Sequence, residues 1–300
     1  MKISIVGAGK MAIALAKGLV RTNTVKAENI VGSAPDRLGM ANQLHAFRAQ
    51  GSKITHDNKE CVKGSDVVFL MTKGVHSLDE FKTNREHHIA SGVLREISAE
   101  LSPEQILVSV IAGFPLTLIC EPLPTHAKVV RSMPNTPMLV GQGAGCYSAN
   151  GNVGEDDKKL VEKLFASCGF IHEVPEMLMD AVCGLSGSGP AYVYVFIESM
   201  TDGGVRMGLP RELAAKLAVQ TVLGSAMMVS ETTEHPSKLK DDVCSPGGST
   251  IAAIHTLDTA GFRGLIIDAV RNATLRTTEL AMEARDKNGY SAQRKPEKAD

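Results

Sequence analysis

The chain has no tryptophan, and its aromatic content is 4% of 300 residues. That is too little for the aromatic platforms on which single-stranded nucleic acid stacks. An excess of one charge is also missing. Thirty-two Lys and Arg stand against 33 Asp and Glu, a net charge of -1 with no basic block, which excludes the footprint of a DNA binder. No apolar run reaches the ~18 residues expected of a membrane span. Cys61, Cys120, Cys146, Cys168, Cys183 and Cys244 are scattered without a CxxC pair. They read as reduced thiols rather than a disulfide frame or zinc site, and no metal is expected. The first apolar segment begins at residue 2, leaving no room for a signal or transit peptide. The expected compartment is therefore the cytoplasm, with the mitochondrion as the alternative.

What is present begins at the N-terminus. Lys2-Ile-Ser-Ile-Val6 runs into Gly7-Ala-Gly9-Lys-Met-Ala12, and Met11, Ala12, Leu15, Ala16 and Leu19 then repeat at helical spacing. A strand, closely spaced glycines and a helix in that order form the unit that binds dinucleotides. Gly7 bends the turn, Gly9 lets the backbone approach a pyrophosphate, and the helix amides hold the anion. Ala12 takes the place of the third glycine, which the pattern tolerates.

Asn29-Ile-Val-Gly-Ser33 predicts a second strand, whose tip lies beside the adenine ribose in such a domain. Its end is small, Gly32-Ser33-Ala34, with Asp36 and Arg37 just beyond. Ser33 and Arg37 suit a 2′-phosphate and Asp36 suits a ribose hydroxyl, so the reading leans to NADPH with NADH as a second cofactor; Arg37 as a plain surface charge is the alternative. A short strand and turn are expected at 53–58 and further strands at 66–71, 106–111, 128–131, 143–148 and 170–174, interleaved with helices, the pattern of an α/β parallel sheet. Residues 76–88 read as a polar surface excursion without a period.

After Pro175 the pattern is helical. Pro190 opens a helix that is apolar almost all round, to be covered by its own domain or by a partner. Ser245-Pro-Gly-Gly-Ser-Thr250 then leads into a helix expected from Ile251, so its amides and hydroxyls can receive a carboxylate. The division expected is a Rossmann-type domain over 1–175, an all-helical dimerisation and substrate domain over 176–285, and a polar tail over 286–300.

Taken with Val110-Ile-Ala-Gly113, Met133-Pro-Asn-Thr-Pro137, Gly184-Leu-Ser-Gly-Ser-Gly-Pro-Ala-Tyr192, Asp202-Gly-Gly-Val-Arg-Met-Gly-Leu-Pro210 and Asp241-Asp-Val-Cys-Ser-Pro-Gly-Gly-Ser-Thr250, the chain resembles the pyrroline-5-carboxylate reductases. The resemblance implies reduction of 1-pyrroline-5-carboxylate to L-proline by hydride transfer from NAD(P)H, in a homodimer or five dimers in a decamer. It implies that Val6, Gly7, Ala8, Gly9, Lys10 and Met11 meet the pyrophosphate, Asp36 the adenosine end, Asn58 the ribose, and Lys73 and Ala112 the reacting end. Glu176, Ser249 and Thr250 would meet the pyrroline, with Ser245 supporting the loop. Gly74 stands where the family usually has proline, and Ala34 where a second serine is common.

A protonated imine is already electrophilic, so the expected work of the site is placement, with Thr250 holding the ring nitrogen. A β-hydroxyacid dehydrogenase would instead need a general base, usually lysine, and Gly187-Ser-Gly-Pro-Ala-Tyr-Val-Tyr194 has none. A dinucleotide-sensing protein without catalysis is the third reading.

Overall fold

In the computed structural model, described for residues 1–34, 45, 47–72 and 85–287, the apolar runs become one sheet. Its strands are β1 (Ile3–Val6), β2 (Ile30–Ser33), β3 (Lys53–Thr55), β4 (Val67–Leu70), β5 (Ile106–Ser109), β6 (Lys128–Met133), β7 (Gly143–Ala149) and β8 (Gly169–Glu173). They lie in the order β3-β2-β1-β4-β5-β6-β7-β8. The chain reverses sheet direction between β1 and β4, and ligands of such sheets bind at that point, beyond the strands' carboxyl ends.

Helices α1 (Lys10–Arg21), α2 (Asn58–Val62), α3 (Arg85–Ile97), α4 (Leu116–Cys120) and α5 (Glu155–Ala166) alternate with the strands. The period of two along each strand sorts side chains onto two faces. Ile3, Ile5, Val67, Phe69 and Val108 pack with α1 and α5. Val68, Leu70, Leu107 and Val129 pack with α2, α3 and α4. Burial on both faces explains why β4 reads as a continuous apolar run. Phe69 meets Phe165 of α5 edge-on, ring centres 5.8 Å apart.

Two expectations are corrected. The sheet is not wholly parallel, because β7 runs antiparallel to β6. Residues 134–142 join them, too few for the dozen or more of a parallel crossover. α3 starts at Arg85, inside the 76–88 segment expected to have no period; residues 76–84 lie outside the described residues. The first turn of α3 is polar, and its buried positions, Ala90, Leu94 and Ile97, fall later at helical spacing.

The chain forms two units: Met1–Gly187 with the chain from Ala273 on, and Ser188–Asn272. The first also holds α6 (Met179–Val182) and a π-helical turn, Cys183–Gly187. The second consists of α7 (Gly189–Arg206), α8 (Arg211–Thr232), α9 (Pro236–Asp242), α10 (Ser249–Thr259) and the start of α11 (Phe262–Lys287). Its only buried residues are Thr201, Ala214 and Ala218. Val195, Leu213, Leu217, Met228 and Ile267 are exposed. α8 is long and apolar enough to cross a membrane by length and composition, although Lys216 interrupts its apolar sequence. All six cysteines are free thiols, and burial pushes those of Cys61, Cys168 and Cys183 up, away from the reactive thiolate.

Gly18 marks where α1 meets the turn before β8. A Cβ there would lie 2.1 Å from Cys168 Sγ and 3.0 Å from the Ser167 carbonyl oxygen. Gly18→Ala gains ~1 kcal/mol of helix propensity. Overpacking opposes it with about 1–3 kcal/mol. Net destabilisation is expected by thermal unfolding, partly recovered when Cys168→Ala is added.

Candidate active site

The β1–α1 turn is held by backbone alone. Gly7 has φ +102°, and a Cβ there would sit 2.4 Å from the Met71 carbonyl oxygen and 2.8 Å from the Thr72 nitrogen. Only glycine lets the turn pass so close to the chain leaving β4. The Gly7 and Ala8 amides both donate to the Ser33 carbonyl, at 2.9 and 3.1 Å, and the Gly9 amide donates to the Gly7 carbonyl at 2.8 Å. Three of the residues expected at a pyrophosphate thus spend their amides on the turn itself.

What remains is the first turn of α1. Gly9 caps it without a side chain, and no acid stands there to compete for its amides. The first return bond is Ile13 N–H to Gly9 at 3.0 Å, which leaves the amides of Lys10, Met11 and Ala12 facing the helix end. Lys10 is exposed and Met11 half-buried, so these two present their amides with the positive end of the helix dipole. Val6 closes β1 beneath them and is buried. An uncapped helix start without acids at the sheet's reversal point fits a dinucleotide's phosphates.

At the tip of β2, Ser33 is fully buried. Its hydroxyl donates to Asn58 Oδ1 at 2.7 Å, and Asn58 Nδ2 donates to Glu96 Oε2 at 3.0 Å. Asn58 is the first residue of α2, which Asp57 caps by accepting the amides of Lys59 and Glu60. Glu96, on α3, was not singled out in the sequence; a lone glutamate on a polar helix face carries no signal there. Asp36, Arg37, Lys73 and Gly74 lie outside the described residues. Ala112 is exposed in the turn after β5.

Glu176 has protein partners. It opens the 3-10 turn Glu176–Leu178, and its Oε1 accepts the Leu116 amide at 2.6 Å and Arg131 Nη1 at 3.3 Å. Arg131, 5% exposed on β6, also donates from Nη2 to Asp180 Oδ1 at 2.9 Å. Thr278 of α11 donates to the other Asp180 oxygen at 3.1 Å. One buried guanidinium therefore ties the start of α4, just after Ala112, to α6 and α11. Asn135 of the Met133–Pro137 motif bonds the Ala144 amide at 2.9 Å and the Ser186 carbonyl at 3.0 Å, a structural bridge.

Ser245, Ser249 and Thr250 belong to the second unit. The Gly248 amide donates to the Ser245 carbonyl at 3.0 Å, closing a tight turn in which Gly247 has φ +66°. Gly248 is the N-cap of α10, which starts at Ser249, two residues before the expected Ile251. Ser249 and Thr250 therefore occupy its first turn, with hydroxyls beside uncapped amides. A groove of about 480 Å³ runs from Gly247 and Gly248 along Ile251 to His255 and Asp258.

Removing Arg131 strands two carboxylates. Arg131→Met is expected to cost about 3–5 kcal/mol in denaturant unfolding. Arg131→Lys, which cannot bridge both acids with a planar fork, should recover only part.

Comparison with known proteins adds three observations. Residues 176–280 match the family model for pyrroline-5-carboxylate reductase dimerisation, and residues 2–113 match one described as NADP oxidoreductase, coenzyme F420-dependent. Pyrroline-5-carboxylate reductase 2 of Homo sapiens is 42% identical over 283 residues, covering 93% of this chain and 84% of the relative. Among solved structures, the chain is similar to the Plasmodium falciparum pyrroline carboxylate reductase with NADP bound. The TM-score is 0.80 at 34% identity, covering 94% of this chain and 98% of that one. It is similar also to a pyrroline-5-carboxylate reductase from Coxiella burnetii, with a TM-score of 0.81 at 31% identity over 93% of this chain and 98% of the other.

Proposed function

The chain belongs to the pyrroline-5-carboxylate reductase family, and from that membership we infer that it reduces 1-pyrroline-5-carboxylate to L-proline with NADPH. The observation that carries the reading is the extent of the match. Similarity at 42% identity covers 93% of the chain, with the uncapped α1 start and the Ser245–Thr250 turn both present.

NADPH, when bound, supplies the hydride; the chain supplies placement. The Lys10 and Met11 amides would hold the phosphates, and Asn58 the adenosine ribose. At α10, the uncapped amides and the Ser249 hydroxyl hold the substrate carboxylate, while Ser245 supports the turn. Thr250 Oγ1 would hydrogen-bond the ring nitrogen and hold its proton beside the C=N carbon. In the first unit, Glu176 holds the Leu116 amide in the chain that follows Ala112. An alcohol-oxidising reading has no support, because the Gly187–Tyr194 segment carries no lysine to act as base.

Gly248, not Thr250, is the helix cap, which separates stability from chemistry at this residue. Thr250→Val is expected to change unfolding by less than ~0.5 kcal/mol, as surface substitutions do. Turnover should fall about tenfold or more, the order of one oriented hydrogen bond with its proton. Steady-state kinetics beside thermal unfolding checks this, and full turnover in Thr250→Val would remove the assignment.

The protein is a homo-oligomer. We propose a dimer built through the second unit, five of which form a decamer. Support comes from the near absence of a core in that unit and from its exposed Leu213, Leu217 and Met228. Leu217 and Met228 stand three turns apart on one face of α8. Replacing both by Asp is expected to dissociate the assembly in light scattering and to lower turnover with it.

A further inference from the structure

We propose that Glu96 is a positioning residue for the dinucleotide, one that sets the direction of Asn58 and through it the hydrogen bonds offered to the adenosine ribose. The inference rests on the dinucleotide reading above and adds to it a residue on a different helix.

The argument begins with an ambiguity. An asparagine amide presents an acceptor on one side and a donor on the other, and a half-turn about its last bond exchanges them. Ser33 cannot decide between the two, because a hydroxyl both donates and accepts. Glu96 can. An ionised carboxylate only accepts, so it draws Asn58 Nδ2 toward itself, at 3.0 Å. Asn58 Oδ1 is thereby turned to Ser33, whose hydroxyl becomes the donor, at 2.7 Å. The polarity of the three-residue chain thus originates at its outer end, on α3, and is delivered to a buried serine at the tip of β2. One N–H and one lone pair of Asn58 remain, each with a fixed direction, at the strand end where a ribose is held.

Burial and surroundings agree with this division. Ser33 is fully buried and Asn58 half-buried, while Glu96 is exposed. Among the described residues no Lys or Arg forms an ion pair with Glu96, so its carboxylate is available to the amide.

The test uses full-length protein and compares Glu96→Ala with Glu96→Gln. Dissociation constants for NADP⁺ and NAD⁺ are read by calorimetry, turnover with NADPH by steady-state kinetics, and integrity by thermal unfolding. Glu96→Ala is expected to weaken both dinucleotides about tenfold, the order of a lost charge-assisted hydrogen bond. KM for NADPH should rise to match while kcat at saturation stays within about twofold, since the ribose contact is remote from the hydride. Glu96→Gln, whose amide oxygen can still accept, should recover most of the affinity for both.

Three results overturn the proposal. The first is Glu96→Ala equal to wild type in both dissociation constants. The second is tighter NADP⁺ binding alone in both variants, which would make Glu96 a charge that opposes the 2′-phosphate. The third is wild type that binds neither dinucleotide, in which case the dinucleotide reading fails with it; the first two results leave that reading standing.

Discussion

The second unit cannot close a hydrophobic core from its own residues. Between Ser188 and Asn272 only Thr201, Ala214 and Ala218 are buried, while leucines, valines and methionines of α7 and α8 face outward. Apolar surface of this extent stabilises nothing until another surface removes it from water. The family match over residues 176–280 is to a dimerisation domain, in keeping with a homo-oligomer. The Ser245–Thr250 turn sits in this same unit.

The first unit is held by a different physics. Its sheet is closed on both faces by helices, and its ligand end is shaped by backbone meeting backbone at Gly7, Met71 and Ser33. These contacts contain no side chain that could relax. The turn therefore tolerates glycine alone at Gly7, and it offers the same two amides, those of Lys10 and Met11, whatever the sequence around it does. Side chains enter at the margins, where Arg131 braces the start of α4 and Glu96 orients Asn58.

How much of this could be read from the sequence follows from the range of each interaction. Local signals were legible: the strand, glycine turn and helix at residues 2–21, the continuous apolar β4, and the glycine pair before Ser249. Each is decided within a few residues by period or by φ. Strand direction was not legible at β7, because hydrophobic alternation is the same in either direction and only the length of the connection after β6 decides it. Nor were Arg131 with Glu176 and Asp180, or Glu96 with Asn58. Those pairs are 45, 49 and 38 residues apart, and they are charged or polar groups that look like ordinary surface until the fold brings them together. Backbone features are legible from local pattern, whereas these side-chain pairings are legible only once the fold is known.

The last helix carries a consequence for how the molecule is made. From Ala273 on, α11 belongs to the first unit, where Ala284 enters the core on one face of the sheet and Leu280 lies over Gly113. These residues leave the ribosome after the whole helical unit. The nucleotide-binding unit is thus discontinuous in time as well as in sequence. Its sheet is synthesised early but waits, with part of its core open to water, until α11 has emerged. Damage to α11 is therefore damage to the dinucleotide unit.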